Sequence, residues 1–184
     1  HSTDQVAVAL TAGNVTATFA LTGSATSVTH VEEGTWYQDW LYRQRLRADS
    51  AKVSGAVDFT DFTAVISGGV VANDIWARAK SDGSDLVVTS SNGTTKLERE
   101  LVSFNPTDST MELWVRIPTL YCADTTAVYL YYGKSTASDT NSTIAWDTSR
   151  YKMVEHLKDV TTSTLSDATP YGNGGTKGAA NQPL

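Results

Sequence analysis

In the stretch WLYRQRLRA, residues 40–48, bulky apolar side chains at Trp40, Tyr42 and Leu46 alternate with guanidinium groups at Arg43, Arg45 and Arg47. A two-residue repeat matches the pleat of a β-strand, where successive side chains point to opposite faces. The spacing predicts a strand with Trp40, Tyr42 and Leu46 inward and the three arginines outward. Five further runs read as short strands: DFTAVIS, LVVTS, KLERELVSF, MELWVRIP and AVYLYYG. From LVVTS onward the connecting clusters SNGT, NPTDST and YCADTT are rich in turn residues. Short strands at such intervals fold as an antiparallel sandwich or barrel.

The expected fold class is therefore all-β, an antiparallel β-sandwich of jelly-roll or Ig-like type with one short helix near 70–80. That helix is predicted from VVANDIWARAK, where Val71, Ile75 and Ala79 recur every four residues until SDGSD stops it. The chain has 184 residues, 40% hydrophobic and 18% charged, which suits one domain with a real core plus an arm. Three regions are expected: an arm and connector over 1–35, the sandwich over 36–160 and a tail or linker over 161–184. Within the arm, VAVAL places Val6, Val8 and Leu10 on one face, and VTATFAL does the same for Val15, Phe19 and Leu21. TAGN between them suggests a hairpin, and residues 22–35 read as a polar connector. SRYKMVEHL reads as one more strand before the tail.

A formal net charge of -6 works against wrapping a polyanion, so no nucleic-acid partner is expected. No apolar run approaches the roughly 18 residues that cross a bilayer, and no membrane insertion is expected. The chain opens on His1 rather than Met, which fits a removed leader or a fragment. Cys122 is the single cysteine and cannot form an intrachain disulfide, so it reads as a buried or spectator thiol.

The carboxylates of SDGSDLVVTSSNGTTKLERELVSF raise the question of a site. Asp82 and Asp85 lack the ligand ladder of a calcium loop, and Asp-Gly there suits a tight turn. Glu98 and Glu100 share one strand face, with Leu97 and Leu101 on the other. A catalytic pair would need burial to raise one pKa. The plainer expectation is a solvated face opposite the Arg43, Arg45 and Arg47 stripe. His1, His30 and His156 show no metal-ligand spacing, Glu155 and His156 fall on opposite faces, and no nucleophile elbow is present. GNGGTKG misses the order of a phosphate loop. No catalytic residue, metal or cofactor is expected.

Aromatic side chains are the remaining hint. Trp36 and Tyr37 precede the first strand of the sandwich and are candidates for stacking on sugar rings, whereas Trp40 and Tyr42 are assigned to the core.

The ordered segments WLYRQRL (40–46), NDIWARAKSDGSDLVVTSSNGTTKLERELVSF (73–104), ELWVRIPTL (112–120) and VYLYYGK (128–134) resemble a family of domains of unknown function. That family is typed by W-x-Y-R, D-G-x-D, W-V-x-x-P and Y-x-Y-Y-G, and the resemblance spans roughly residues 40–175. AWDTSRYKMVEHLKD and SDATPYGNGG look like the spacer that leads, in such proteins, into a concanavalin A-like (laminin-G type) lectin domain. One departure is Glu155, where similar proteins carry an aromatic before the position of His156. The resemblance implies a non-catalytic β-rich module of secreted surface proteins and phage virion or tail-associated proteins, with no established catalytic residues.

The expected role is accordingly a structural or assembly module of a virion or of an extracellular surface or filament. Its partners would be other copies of itself or other virion and surface proteins. Val6, Val8, Leu10, Val15, Phe19 and Leu21 would form the assembly arm, since an unpaired strand can complete a neighbour's sheet. A glycan-binding adhesion module using Trp36 and Tyr37 is the alternative. An accessory domain of a polysaccharide-active hydrolase is the second alternative.

Overall fold

The computed structural model describes residues 8–11, 14–19, 28–31, 36–159 and 163–178. Ahead of residue 36, β1 (Val8–Thr11), β2 (Asn14–Phe19) and β3 (Val28–Val31) form an antiparallel sheet in the order β1-β2-β3. The hairpin expected from the alternating arm is present, in register from Val8↔Ala17 to Thr11↔Asn14. The connector expected over 22–35 includes a third strand, with Val28 opposite Phe19 and Val31 opposite Thr16. β-Branched Val and Thr suit a pleated backbone, and β2 offers them an edge to pair with. Val6 and Leu21, named as arm residues, lie outside the described residues.

The remaining elements are β4 (Tyr42–Ala48), β5 (Phe59–Ser67), the single helical turn α1 (Ile75–Arg78), β6 (Val87–Ser90), β7 (Arg99–Asn105), β8 (Thr110–Leu120) and β9 (Thr126–Tyr132). A short pair, β10 (Thr164–Leu165) and β11 (Gly175–Thr176), follows. Two three-stranded antiparallel sheets, β4-β9-β6 and β5-β8-β7, make the sandwich. Its core joins Ile66, Met111, Leu113 and Val115 of one sheet to Val88, Val128, Leu130 and Tyr132 of the other. Each such side chain, fully buried, contributes roughly 1.5–3 kcal/mol.

β9 is buried along its whole length because both of its faces are covered. Its even-numbered residues Val128, Leu130 and Tyr132 enter the core between the sheets. Tyr129 and Tyr131 point the other way, into a second cluster with Trp40, Val87 and Ala137.

This corrects the expected placement of Trp40. Tyr42 and Leu46 do pack against the main core, but Trp40 precedes β4 and follows a turn closed by Trp40 N–H donating to Tyr37 O at 3.3 Å. Strand parity does not extend through that turn, so Trp40 reaches the outer cluster.

The helix near 70–80 is present but reduced to one turn. Ile75 is wholly buried, and Val71 and Ala79 pack beside it as the four-residue spacing implied. The turn ends because Ala79 is extended and the next N–H, Lys80, donates to the Asp85 carboxylate at 2.9 Å.

SRYKMVEHL is not a strand. It is irregular, with Val154 N–H donating to the Asp167 side chain and Val154 O accepting from Ala168. In the expected tail over 161–184, the described residues include the antiparallel β10–β11 pair, with Thr164 opposite Thr176. Asp167 organises this ribbon through bonds that composition does not reveal.

Candidate functional site

Three of the resemblance motifs, W-x-Y-R, D-G-x-D and Y-x-Y-Y-G, are far apart in sequence but meet at one corner of the sandwich. Asp85 of D-G-x-D is completely buried. Its carboxylate accepts N–H groups from Lys80 at 2.9 Å, Gly133 at 2.7 Å and Lys134 at 3.1 Å. Trp40 of W-x-Y-R donates its indole N–H to Asp85 O at 2.9 Å. Tyr42 stacks on Tyr132 with ring centres 5.7 Å apart. Gly133 has φ +83, and a Cβ built there would meet the Tyr42 ring.

Tyr131 donates its hydroxyl to Gly93 O at 2.9 Å and accepts from the Arg43 guanidinium at 3.1 Å. The Asp85 carboxylate, the Trp40 indole N–H and the Tyr131 hydroxyl all hold the chain to itself. Asp82 does behave as turn chemistry: it is exposed and accepts Ser84 N–H, a bond that draws its pKa below the ordinary value. Asp85 does not, since its carboxylate is an interior pin.

A second cluster lies on the outer face of the β5-β8-β7 sheet, beneath the segment after Asn141. Glu100 accepts the indole N–H of buried Trp146 at 2.6 Å, and His156 Nε2 lies 3.1 Å from the same carboxylate oxygen. His156 Nδ1 faces Glu112 at 3.9 Å. Glu112 in turn accepts from Lys158 at 2.5 Å and from Trp114 at 3.0 Å. The Lys158 bond, foremost, holds Glu112 below the ordinary carboxylate range. A cleft of about 310 Å³ opens beside the cluster, lined in part by Glu100, His156, Lys158 and Asp167.

This corrects the expected partner of the Glu98/Glu100 face. Glu98 is exposed, but Glu100 is covered by Trp146 and His156, and the arginine stripe belongs to β4 in the other sheet. The residue between them, Arg99, is almost wholly buried, bonding Asp139 and Asn141 at 2.9–3.1 Å. Glu100 and Glu112 accept hydrogen bonds from Trp146, Trp114 and Lys158 of the same chain. An acid catalyst needs a raised pKa, and Glu112 is moved the other way.

The pattern of a family described as a domain of unknown function (DUF2341) matches residues 82–178, more than half of the chain. The chain belongs to the DUF2341 family. The match starts at Asp82 and runs through W-V-x-x-P, Y-x-Y-Y-G and the β10–β11 ribbon. No curated protein and no solved structure matches the chain.

In this DUF2341 chain, Trp36 and Tyr37 are half-buried. The Arg43 guanidinium lies 4.4 Å from the centre of the Trp36 ring, and Tyr37 packs against Trp40 and Tyr131. Tyr37 also lines a cleft of about 310 Å³ with Lys96, Lys134, Thr136 and Ser138.

Cys122 is half-buried and its thiol donates to Asp58 at 3.3 Å, which raises its pKa and disfavours the thiolate. Among the described residues no group of three or more His, Cys, Asp or Glu is placed to hold a metal ion. No described helix is long and apolar enough to cross a membrane.

Sequence reasoning missed the buried roles of Asp85 and Arg99, and the ion pair of Arg99 with half-buried Asp139. A charged residue directly followed by LVV, as Asp85 is, was the one available sign that its carboxylate enters the interior.

Proposed function

We propose that this DUF2341 domain is a non-catalytic scaffold that associates with further copies of itself, with residues 1–35 as the connecting arm. The observation that carries the reading is the separate β1-β2-β3 sheet, whose outer strands β1 and β3 each keep one edge without a partner among the described residues. Exposed strand edges are templates for another chain. The internal commitment of the Asp85, Glu100 and Glu112 carboxylates supports a scaffold rather than a reaction centre. A virion or extracellular surface as its place follows from the resemblance alone and is part of the same proposal.

Sedimentation velocity over a range of concentrations tests it. The full chain should associate as concentration rises, and a chain lacking residues 1–35 should stay folded and monomeric. Equal association of the two, or a monomeric full chain throughout, would refute the reading.

A second reading, carbohydrate binding, is favoured by the cleft where Tyr37 faces Lys96, Lys134, Thr136 and Ser138. Aromatic surface with hydroxyl and ammonium donors suits a sugar. Tryptophan-fluorescence titration with a polysaccharide panel should then give a saturable change that Tyr37→Ala removes. A flat response to every polysaccharide eliminates this reading.

A further inference from the structure

Among the described residues the sandwich is bridged along one flank only. There β6 bonds the segment that runs into β7, with Leu97 N–H donating to Val88 O at 2.8 Å and Ser90 N–H donating to Thr95 O at 2.9 Å. On the opposite flank, β4 pairs only with β9 and β5 only with β8 among the described residues, so each presents a strand edge.

Between these edges runs a groove of about 450 Å³, lined by Leu46, Ile66, Ile117 and Val128. Val65 and Val70 beside it are about half exposed, at 49% and 56%. Gln44 ties β4 to the next segment at one end of the groove, accepting Ala72 N–H at 2.7 Å and donating to Val70 O at 3.3 Å. β5 carries none of the lysines or prolines that commonly blunt an edge. An apolar slot between two such edges has the shape of a place for one more strand, whose alternate side chains would fill the slot.

Charge indicates what fills it. Arg45 and Arg47 also line this groove and are exposed. All 14 lysines and arginines of the chain lie after residue 35, while residues 1–35 hold Asp4, Glu32 and Glu33. Apart from His1 and His30, the ionisable side chains of the arm are acidic where the groove's rim is basic. Its alternating Val6, Val8 and Leu10 supply an apolar side chain at every second position. Within one chain, the described arm strands pair only with one another and not with β4 or β5.

We infer that the N-terminal arm of one copy docks in the β4–β5 groove of a second copy, with its carboxylates against Arg45 and Arg47. The inference rests on the self-assembly reading and names its receiving surface. Such a contact is heterologous: each chain offers one arm and one groove, so chains join head to tail.

Charge reversal in the full chain tests it. One variant carries Arg45→Glu and Arg47→Glu, a second carries Asp4→Lys, Glu32→Lys and Glu33→Lys, and a third carries all five changes. Circular dichroism and thermal melts confirm that each is folded. Sedimentation should show the first two weakened roughly tenfold or more in self-association. The five-change chain should recover association, since its charges are complementary again. An equimolar mixture of the first two should also recover head-to-tail association, because each variant's arm is complementary in charge to the other's groove. If the parent chain associates and Arg45→Glu with Arg47→Glu leaves that unchanged, the receiving surface is wrong while self-assembly stands. If the parent chain never associates, both fall together.

Discussion

The Asp85 carboxylate accepts the backbone N–H of Gly133 at 2.7 Å, joining the turn before β6 to the end of the central strand β9. The two residues are 48 positions apart, and the same carboxylate also holds Lys80 and Lys134. Three backbone donors thus depend on one interior group. Removing it leaves buried N–H groups without acceptors, which is the costly side of hydrogen bonding.

Asp85→Ala should therefore destabilise the domain by about 3 kcal/mol or more. Urea unfolding followed by tryptophan fluorescence should show a lower midpoint with an unchanged slope. A midpoint equal to that of the parent would mean the corner is held by something else.

Gly133→Ala attacks the same corner from the other side. The position has φ +83, which a side chain tolerates poorly, and its Cβ would enter the Tyr42 ring. Strain and overpacking together should cost roughly 2–4 kcal/mol. Glycine at 172 is the control: φ there is +65 but nothing lies within 4 Å of a Cβ, so Gly172→Ala should cost only about 1 kcal/mol. Equal midpoints for the two variants would deny Tyr42 its role.

Much of the sandwich was legible because burial of one strand face imprints a two-residue period. β4, β5, β6, β7 and β8 coincide with runs read as strands, and so does β9, although it is buried on both faces and carries no such period. Alternation failed at Trp40, where a turn breaks the parity, and at SRYKMVEHL, where Val154 bonds a side chain instead of a neighbouring strand. The partners of Glu100 were illegible for a different reason. Trp146 and His156 lie 46 and 56 residues away, and a contact made by an irregular segment leaves no period to read. The β4–β5 groove is likewise a property of how two sheets meet, not of any one stretch.

Acid should loosen the C-terminal ribbon at a defined point. Burial pushes Asp167 upward, but N–H donors from Val154, Thr169 and Asn173 with the Thr169 hydroxyl outweigh it and hold the carboxyl at about 2. A folded value below the ordinary 3.8 means the anion's bonds stabilise fully above that value and are lost as pH falls through about 2. Amide chemical shifts of Val154, Thr169 and Asn173 should move together across this window. In Asp167→Asn that transition should vanish; its persistence would assign it to another group.

The Glu100–His156 contact separates a strut from a reaction centre. Glu100→Ala should strand the indole N–H of Trp146, which is 4% exposed, and cost about 2 kcal/mol. Its signature should be red-shifted tryptophan emission and faster hydrogen exchange over residues 143–157, with the β9 core unchanged. Glu100→Gln keeps an acceptor for the indole while removing the charge, so it should retain most of the stability. It should also leave self-association untouched, as should Glu98→Gln on the exposed position of the same strand face. A hydrolase would answer differently: turnover of a polysaccharide by the parent chain, abolished by Glu100→Gln without loss of fold, would make this cluster a catalytic centre and end the scaffold reading.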